Sequence, residues 1–267
     1  MQTIQQTVSG IDMLQFGEGP FIFSGRPPIC MGALIMGSTS NETVRIRALA
    51  TEHREDKKLA PLGFGQIKVQ ARLAPGSLGA VPAYFQIAPY TEPGIYKTSI
   101  PWGKKRMQIE VHVQENPQLS IAPTRVHLRG AGGDQLSHTL VIHNPGNITH
   151  TLDKVALVWL EEQDWVGRTL VDTLRKSPDK EMHQAFLDRL LDEFRKSALP
   201  PVRVALKYEA PELRPGDTRV VQLELTLPLE RLNKGRTYRG FIKLMGKRLW
   251  LEVVCNGSPK STKRRPT

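Results

Sequence analysis

Cysteine is almost missing from this chain: Cys30 and Cys255 are the only two in 267 residues. The internal repeat described below puts one in each half, so neither half can close a disulfide of its own. That usage fits a reducing compartment. Long apolar runs are missing too, and none approaches the ~18 residues of a membrane-spanning helix. The N-terminus, Met1-Gln2-Thr3-Ile4-Gln5-Gln6, has no basic stretch followed by an apolar core, as a secretory leader would. A cytoplasmic chain without membrane insertion is the expectation. The sequence also lacks a Gly-x-Ser-x-Gly elbow, a Walker sequence and a catalytic cysteine–histidine signature. Nothing in it points to an enzyme or to a bound cofactor.

What is present is a repeat. Leu73-Ala74-Pro75-Gly76 precedes Pro89, Gly94-Ile95-Tyr96, Gly103-Lys104 and the run Met107–Val113. Leu213-Arg214-Pro215-Gly216 precedes Pro228, Gly235-Arg236-Thr237-Tyr238, Gly246-Lys247 and the run Leu249–Val254. The offset stays near 140 residues. A constant offset over that length predicts a duplicated β-domain, and the chain has room for two ordinary cores.

Short β-branched and aromatic runs bounded by Gly, Pro, Asn or Ser predict strands in both halves. In the first they are 29–36, 43–50, 65–71, 80–88, 94–100 and 107–113, after an extended lead-in over 1–20. In the second they are 126–128, 137–144, 152–160, 202–208, 219–227, 237–245 and 249–254. The pattern predicts an all-β chain of two tandem β-sandwiches, 1–116 and 117–257, joined at Glu115-Asn116-Pro117-Gln118, with a basic tail over 258–267. Between Trp165 and Pro201 the period changes from 2 to 3.6, which predicts a helical insertion over 166–200. Ser177-Pro178-Asp179 reads as a helix start. Met182, Phe186, Leu190 and Phe194 then form an apolar stripe, and a shorter helix carrying Leu170, Val171 and Leu174 precedes it.

Asn144-Pro145-Gly146-Asn147, Leu213-Arg214-Pro215-Gly216 and the Gly-x-x-Tyr at 235–238 resemble bacterial immunoglobulin-like modules of the type that accompanies α-galactosidases and many surface proteins. In the first half Glu92-Pro93-Gly94-Ile95-Tyr96 looks like the same corner, where a tyrosine hydroxyl can cap the turn. The resemblance implies two immunoglobulin-like sandwiches and a role in binding, spacing or assembly. It covers about 230 residues and speaks to fold, not to activity. Modules of this type are usually exported and seldom carry a helical insertion.

Candidate chemistry is sparse. His138 and His143 lie five apart on one strand and so face opposite ways, and no metal site is expected among them, His127 and His150. Glu161, Glu162 and Asp164 read as a solvated loop. Gly130-Ala131-Gly132-Gly133 leads into a strand where a phosphate cradle would need a helix, and reads as a hairpin turn.

The net charge is +11, and 231–267 holds eleven Lys or Arg against one acid, Glu252. The rest of the chain is nearly balanced. In the last hairpin Tyr238, Ile242 and Leu244 alternate with Arg239, Phe241 and Lys243, and Leu249, Leu251 and Val253 with Arg248, Trp250 and Glu252. With the aliphatic set inward, Phe241 and Trp250 face outward among Arg239, Lys243 and Arg248. The matching positions of the first half, among them Lys97, Ser99, Gln108 and Glu110, hold no aromatics. Three uses are open for this face. The Met182/Phe186/Leu190/Phe194 stripe could cover it; it could bind a protein with an acidic surface; or it could bind nucleic acid. The expected function is a non-catalytic interaction or assembly module, a scaffold or adaptor in a larger bacterial complex. The alternatives are a nucleic-acid-associated accessory protein and a carbohydrate-binding or hydrolase-accessory module.

Overall fold

The computed structural model describes residues 2–4, 13–52, 59–176, 183–197, 199–229 and 232–257. The chain is mostly β and divides into two compact units. Unit 1 is 1–118 together with 144–149 and 214–216; unit 2 is 119–143, 150–213 and 217–267.

Unit 1 holds β1 (Gln2–Ile4), β2 (Leu14–Phe16), β3 (Phe21–Gly25), β4 (Ile29–Ser38), β5 (Val44–Ala50), β6 (Gln66–Leu73), β7 (Leu78–Gln86), β8 (Gly94–Trp102) and β9 (Lys105–Val113). They form one nine-stranded sheet in the order β1-β5-β6-β7-β4-β3-β9-β8, with β2 also on β4. The strand pairing is therefore continuous across the unit. The cause is β4, whose ten residues pair with β7 along one edge and with both β3 and β2 along the other. A bridge between Glu52 and Ser99 brings the end of the β5 segment against β8. Phe23, Phe64, Phe85, Ile67, Ile100 and Ile109 are fully buried in the resulting core. Asn147, in the 144–149 segment, works like an extra peptide group. Its carbonyl accepts the Asn116 N–H at 2.6 Å, and its amide donates to the Thr91 and Gln114 carbonyls at 2.9 and 3.1 Å.

Unit 2 holds β10 (Ser120–Ala122), β11 (Arg125–Gly130), β12 (Gln135–His143), β13 (His150–Thr151), β14 (Val155–Val158), β15 (Glu161–Glu162), helices α1 (Trp165–Lys176) and α2 (His183–Ser197), then β16 (Val202–Lys207), β17 (Glu212–Leu213), β18 (Thr218–Thr226), β19 (Thr237–Leu244) and β20 (Lys247–Cys255). A sheet β10-β12-β18-β16-β14 and a sheet β11-β20-β19-β15 enclose one core, and β13 pairs with β17. Gly130–Gly133 is not the hairpin turn expected. It links β11 in one sheet to β12 in the other, with the Asp134 carboxylate accepting the Ala131 N–H at 2.8 Å. The expected strand over 152–160 is shortened to β14, because the chain leaves the first sheet after Val158 and joins the second at β15.

The repeat survives as topology. In unit 1 the hairpin β8–β9 pairs in parallel with β3; in unit 2 the hairpin β19–β20 pairs in parallel with β11. Both tyrosines cap their corners. The Tyr96 hydroxyl donates to the Glu92 carbonyl at 2.8 Å, and the Tyr238 hydroxyl accepts the Asn233 N–H at 2.7 Å. The last hairpin turns on Met245 and Gly246, both at positive φ (45° and 78°), the type I′ geometry whose twist matches the flanking strands.

Candidate functional site

Along β19 and β20 the side chains alternate as the sequence pattern requires. Tyr238, Ile242, Leu244, Leu249, Leu251 and Val253 are buried, while Arg239, Phe241, Lys243, Arg248 and Trp250 stand on the outer face. Phe241 is directly opposite Trp250 in the register, with ring centroids 5.4 Å apart. The Arg248 guanidinium lies 5.2 Å over the Phe241 ring. Lys243 is opposite Arg248, and neither has a carboxylate partner among the described residues. Arg239 is different. Its Nε donates to Glu252 at 2.9 Å, and His127 approaches the same carboxylate at 3.3 Å. Burial raises the Glu252 pKa, but the Arg239 bond and charge and the His127 contact outweigh it and hold the carboxyl below its ordinary value.

The comparison with β8 and β9 isolates what is peculiar to this face. Lys97 opposite Glu110 corresponds to Arg239 opposite Glu252, and both pairs are ion-paired. Next along, Ser99 opposite Gln108 corresponds to Phe241 opposite Trp250. The same hairpin therefore folds without the aromatic pair, which remains about 40% exposed (Phe241 39%, Trp250 42%). Large rings left half in water at positions the fold does not require are a recognition feature more than a packing one.

Beside this pair opens a cleft of about 990 Å³, entirely within unit 2. Arg239, Phe241, Lys243 and Trp250 form one side, β14 with Trp159 another, and the start of α1 with Trp165 the third, where Glu161, Glu162 and Asp164 also line it, with Asp153 just before β14. Trp159 is 61% exposed and is held there by a close backbone crossing. A Cβ on Gly240 would lie 2.4 Å from the Trp159 carbonyl oxygen and 2.7 Å from Val158 Cγ2. Only glycine lets the β14–β15 crossover pass so near β19. Val155 and Leu157 point outward from β14 with Trp159 next in the alternation, at 41%, 55% and 61% exposure. β14 ends its sheet, and its free edge carries no charged residue from Val155 to Trp159. Edge strands are ordinarily guarded by charge or proline, so this one is an open template.

Glu162 is not the solvated loop residue expected. Its side chain is nearly buried and receives Arg168, Asn233 and Arg236. Burial raises its pKa, but the Arg168 bond and charge, with Asn233 and Arg236, outweigh that and lower it. This clamp ties the first turns of α1 to β15. Asp164, at φ 63°, turns the chain into α1 and its carbonyl accepts the Arg168 N–H at 3.1 Å.

The helices do not lay their apolar stripe over Phe241 and Trp250. They pack on each other, Phe186, Leu190 and Phe194 being half-buried there, with Phe194 edge-on to Trp165 at 5.2 Å. Met182, the Ser177-Pro178-Asp179 helix start and the basic tail lie outside the described residues. Of the expected site residues, Arg239, Phe241, Lys243 and Trp250 share the cleft, Arg248 borders it, and the α2 residues stand apart. Val155, Leu157, Trp159 and Gly240 were not anticipated. The run Val-Ala-Leu-Val-Trp reads as an ordinary buried strand until its place at the sheet edge is known.

No family model matches the chain, and no curated protein does. Among solved structures, a Porphyromonas gingivalis W83 protein of unknown function aligns with 92% of this chain and 100% of its own at 9% identity and TM-score 0.25. The titin domains z1z2 in complex with telethonin align over 92% and 97% at 8% identity and TM-score 0.28. The Pseudomonas aeruginosa CupB2 chaperone aligns over 91% and 100% at 11% identity and TM-score 0.24. Superpositions at this level bear on neither fold nor function, which rest on the strand pairing and side chains above.

Proposed function

We propose that this chain is a non-catalytic interaction module, a scaffold or adaptor of a larger bacterial complex, built from two immunoglobulin-like modules in tandem with a helical insertion in the second. Its partner is a protein that brings an acidic surface to the Lys243 and Arg248 side of the unit 2 cleft, away from the carboxylates at the start of α1. The observation that carries this is the exposed Phe241–Trp250 pair at positions where the sister hairpin has Ser99 and Gln108, beside the unguarded edge of β14. Aromatic and arginine side chains are efficient anchors because they bury much area with little loss of freedom. Lys243 and Arg248 supply the charge that an acidic partner would neutralise. A carbohydrate platform is less well supported, since it would need its rings free of cations, and Arg248 sits over Phe241.

The test is capture from the native host at low salt, with and without nuclease, using the full chain and a Trp250→Ala/Arg248→Glu variant. A stoichiometric protein retained after nuclease by the wild type and lost by the variant is the expected result, with unchanged thermal unfolding. Equal retention by the variant would remove the cleft from the function.

A further inference from the structure

The near balance of charge outside the C-terminal segment hides a local imbalance. On the outer face of β5, β6 and β7, in unit 1, Arg45, Arg47, Lys68 and Arg72 line one shallow groove of about 700 Å³. No carboxylate lines it among the described residues. None of these cations has an ion-pair partner there either. The arrangement follows from strand alternation. Val44, Ile46, Ile67, Val69 and Leu73 point into the core, so the residues between them point out.

Arg45 lies directly opposite Arg72 in the antiparallel ladder. Their Cβ atoms are therefore about 5 Å apart, where like charges are destabilising. A register shift between Ile46 and Ala48 sets the single residue Arg47 against two residues of β6, Val69 and Gln70, so the extra residue is in β6 and Arg47 is exposed beside it. Bulges of this kind re-aim side chains and gather beside functional sites. In the neighbouring pair Lys68 is opposite Tyr84, whose ring is half-buried in the groove. Arg72 and Lys68 are four residues apart on one strand, about 13 Å.

We infer that this face of unit 1 binds single-stranded nucleic acid. Unpaired guanidinium and ammonium groups take successive phosphates, and Tyr84 provides the flat ring on which a base stacks. Gln70, beside them in the groove, offers amide groups to a base edge or sugar. The like-charged Arg45–Arg72 pair is a stability cost that a bound phosphate removes. This site shares no residue with the cleft of unit 2, so either assignment can fail without the other.

The experiment is fluorescence anisotropy of a labelled oligothymidylate with the full chain from 20 to 200 mM salt. Three or four phosphate contacts predict a slope of log K against log salt of about −2 to −3. Arg45→Ala/Arg72→Ala should weaken binding at least tenfold at the lowest salt. Tyr84→Ala should weaken it at least fivefold through lost stacking. A chain with Lys260, Lys263, Arg264 and Arg265 changed to alanine should keep most of the affinity. Arg72→Gln should raise the melting temperature by about 1–3 °C while weakening binding, which separates lost contact from lost fold. Absent binding at 20 mM salt would overturn the inference, as would loss in the tail variant alone. If Tyr84→Ala binds like the wild type, the face is a general polyanion surface and the nucleic-acid assignment fails.

Discussion

At the scale of single residues, the clearest physics is at Glu162. Its carboxylate is nearly buried and clamped by Arg168, Asn233 and Arg236, so its folded pKa lies below the ordinary 4.5. A depressed carboxylate contributes stability that is complete above its unfolded pKa and is lost as pH falls through the folded value. Glu162→Gln should therefore cost about 1–3 kcal/mol at neutral pH. The deficit should shrink below pH ~4.5 until the two unfolding curves meet. Chemical denaturation at a series of pH values measures this, and parallel curves through that range would contradict it. Gly240 is the second such residue. Gly240→Ala places a methyl group against the Trp159 carbonyl and should cost about 1–3 kcal/mol. Because the clash is with backbone, Trp159 must also shift, so the near-ultraviolet dichroism should change along with the melting temperature.

At the scale of elements, two hairpins built to one plan have diverged on one face. β8–β9 carries Ser99 and Gln108 where β19–β20 carries Phe241 and Trp250, while the ion pair beside them is kept. The edge strand β14 is the other informative element. Its outward residues add little to the core, so Leu157→Lys should change stability by no more than about 0.5 kcal/mol. A charge there guards the edge. Capture of the partner by the cleft should consequently fall at least tenfold in that variant, read by the same retention assay. Undiminished capture would show that β14 takes no part. The helix pair belongs at this scale too. α1 buries Thr169 and Thr173 and leaves Val166, Leu170, Val171 and Leu174 at 40–55% exposure.

At the scale of the whole molecule, charge is the organising quantity. The excess of the C-terminal segment was plain in the sequence, and Arg239 within it is neutralised by Glu252. The groove on unit 1 is the reverse case, basic in space though unremarkable along the chain. Among the described residues no helix is long and apolar enough to cross a membrane, and no group of three or more His, Cys, Asp or Glu could hold a metal ion.

The longer strands, the repeated hairpins, the tyrosine corners and the outward face of β19–β20 were legible in the amino-acid sequence. These follow from period-2 alternation and turn chemistry, which act over a few residues. The burial of Tyr238, Ile242 and Leu251 and the exposure of Phe241 and Trp250 could be read from spacing alone. Which strand lies at an edge and which segments pass near each other were set by packing between distant parts of the chain. Val155–Trp159 became an open edge because β14 ends its sheet. The Arg45–Arg72 juxtaposition depends on a register between strands 27 residues apart. Gly130–Gly133 joined two sheets in place of closing a hairpin for the same reason: strand pairing is set by long-range packing, on which local propensity has no hold.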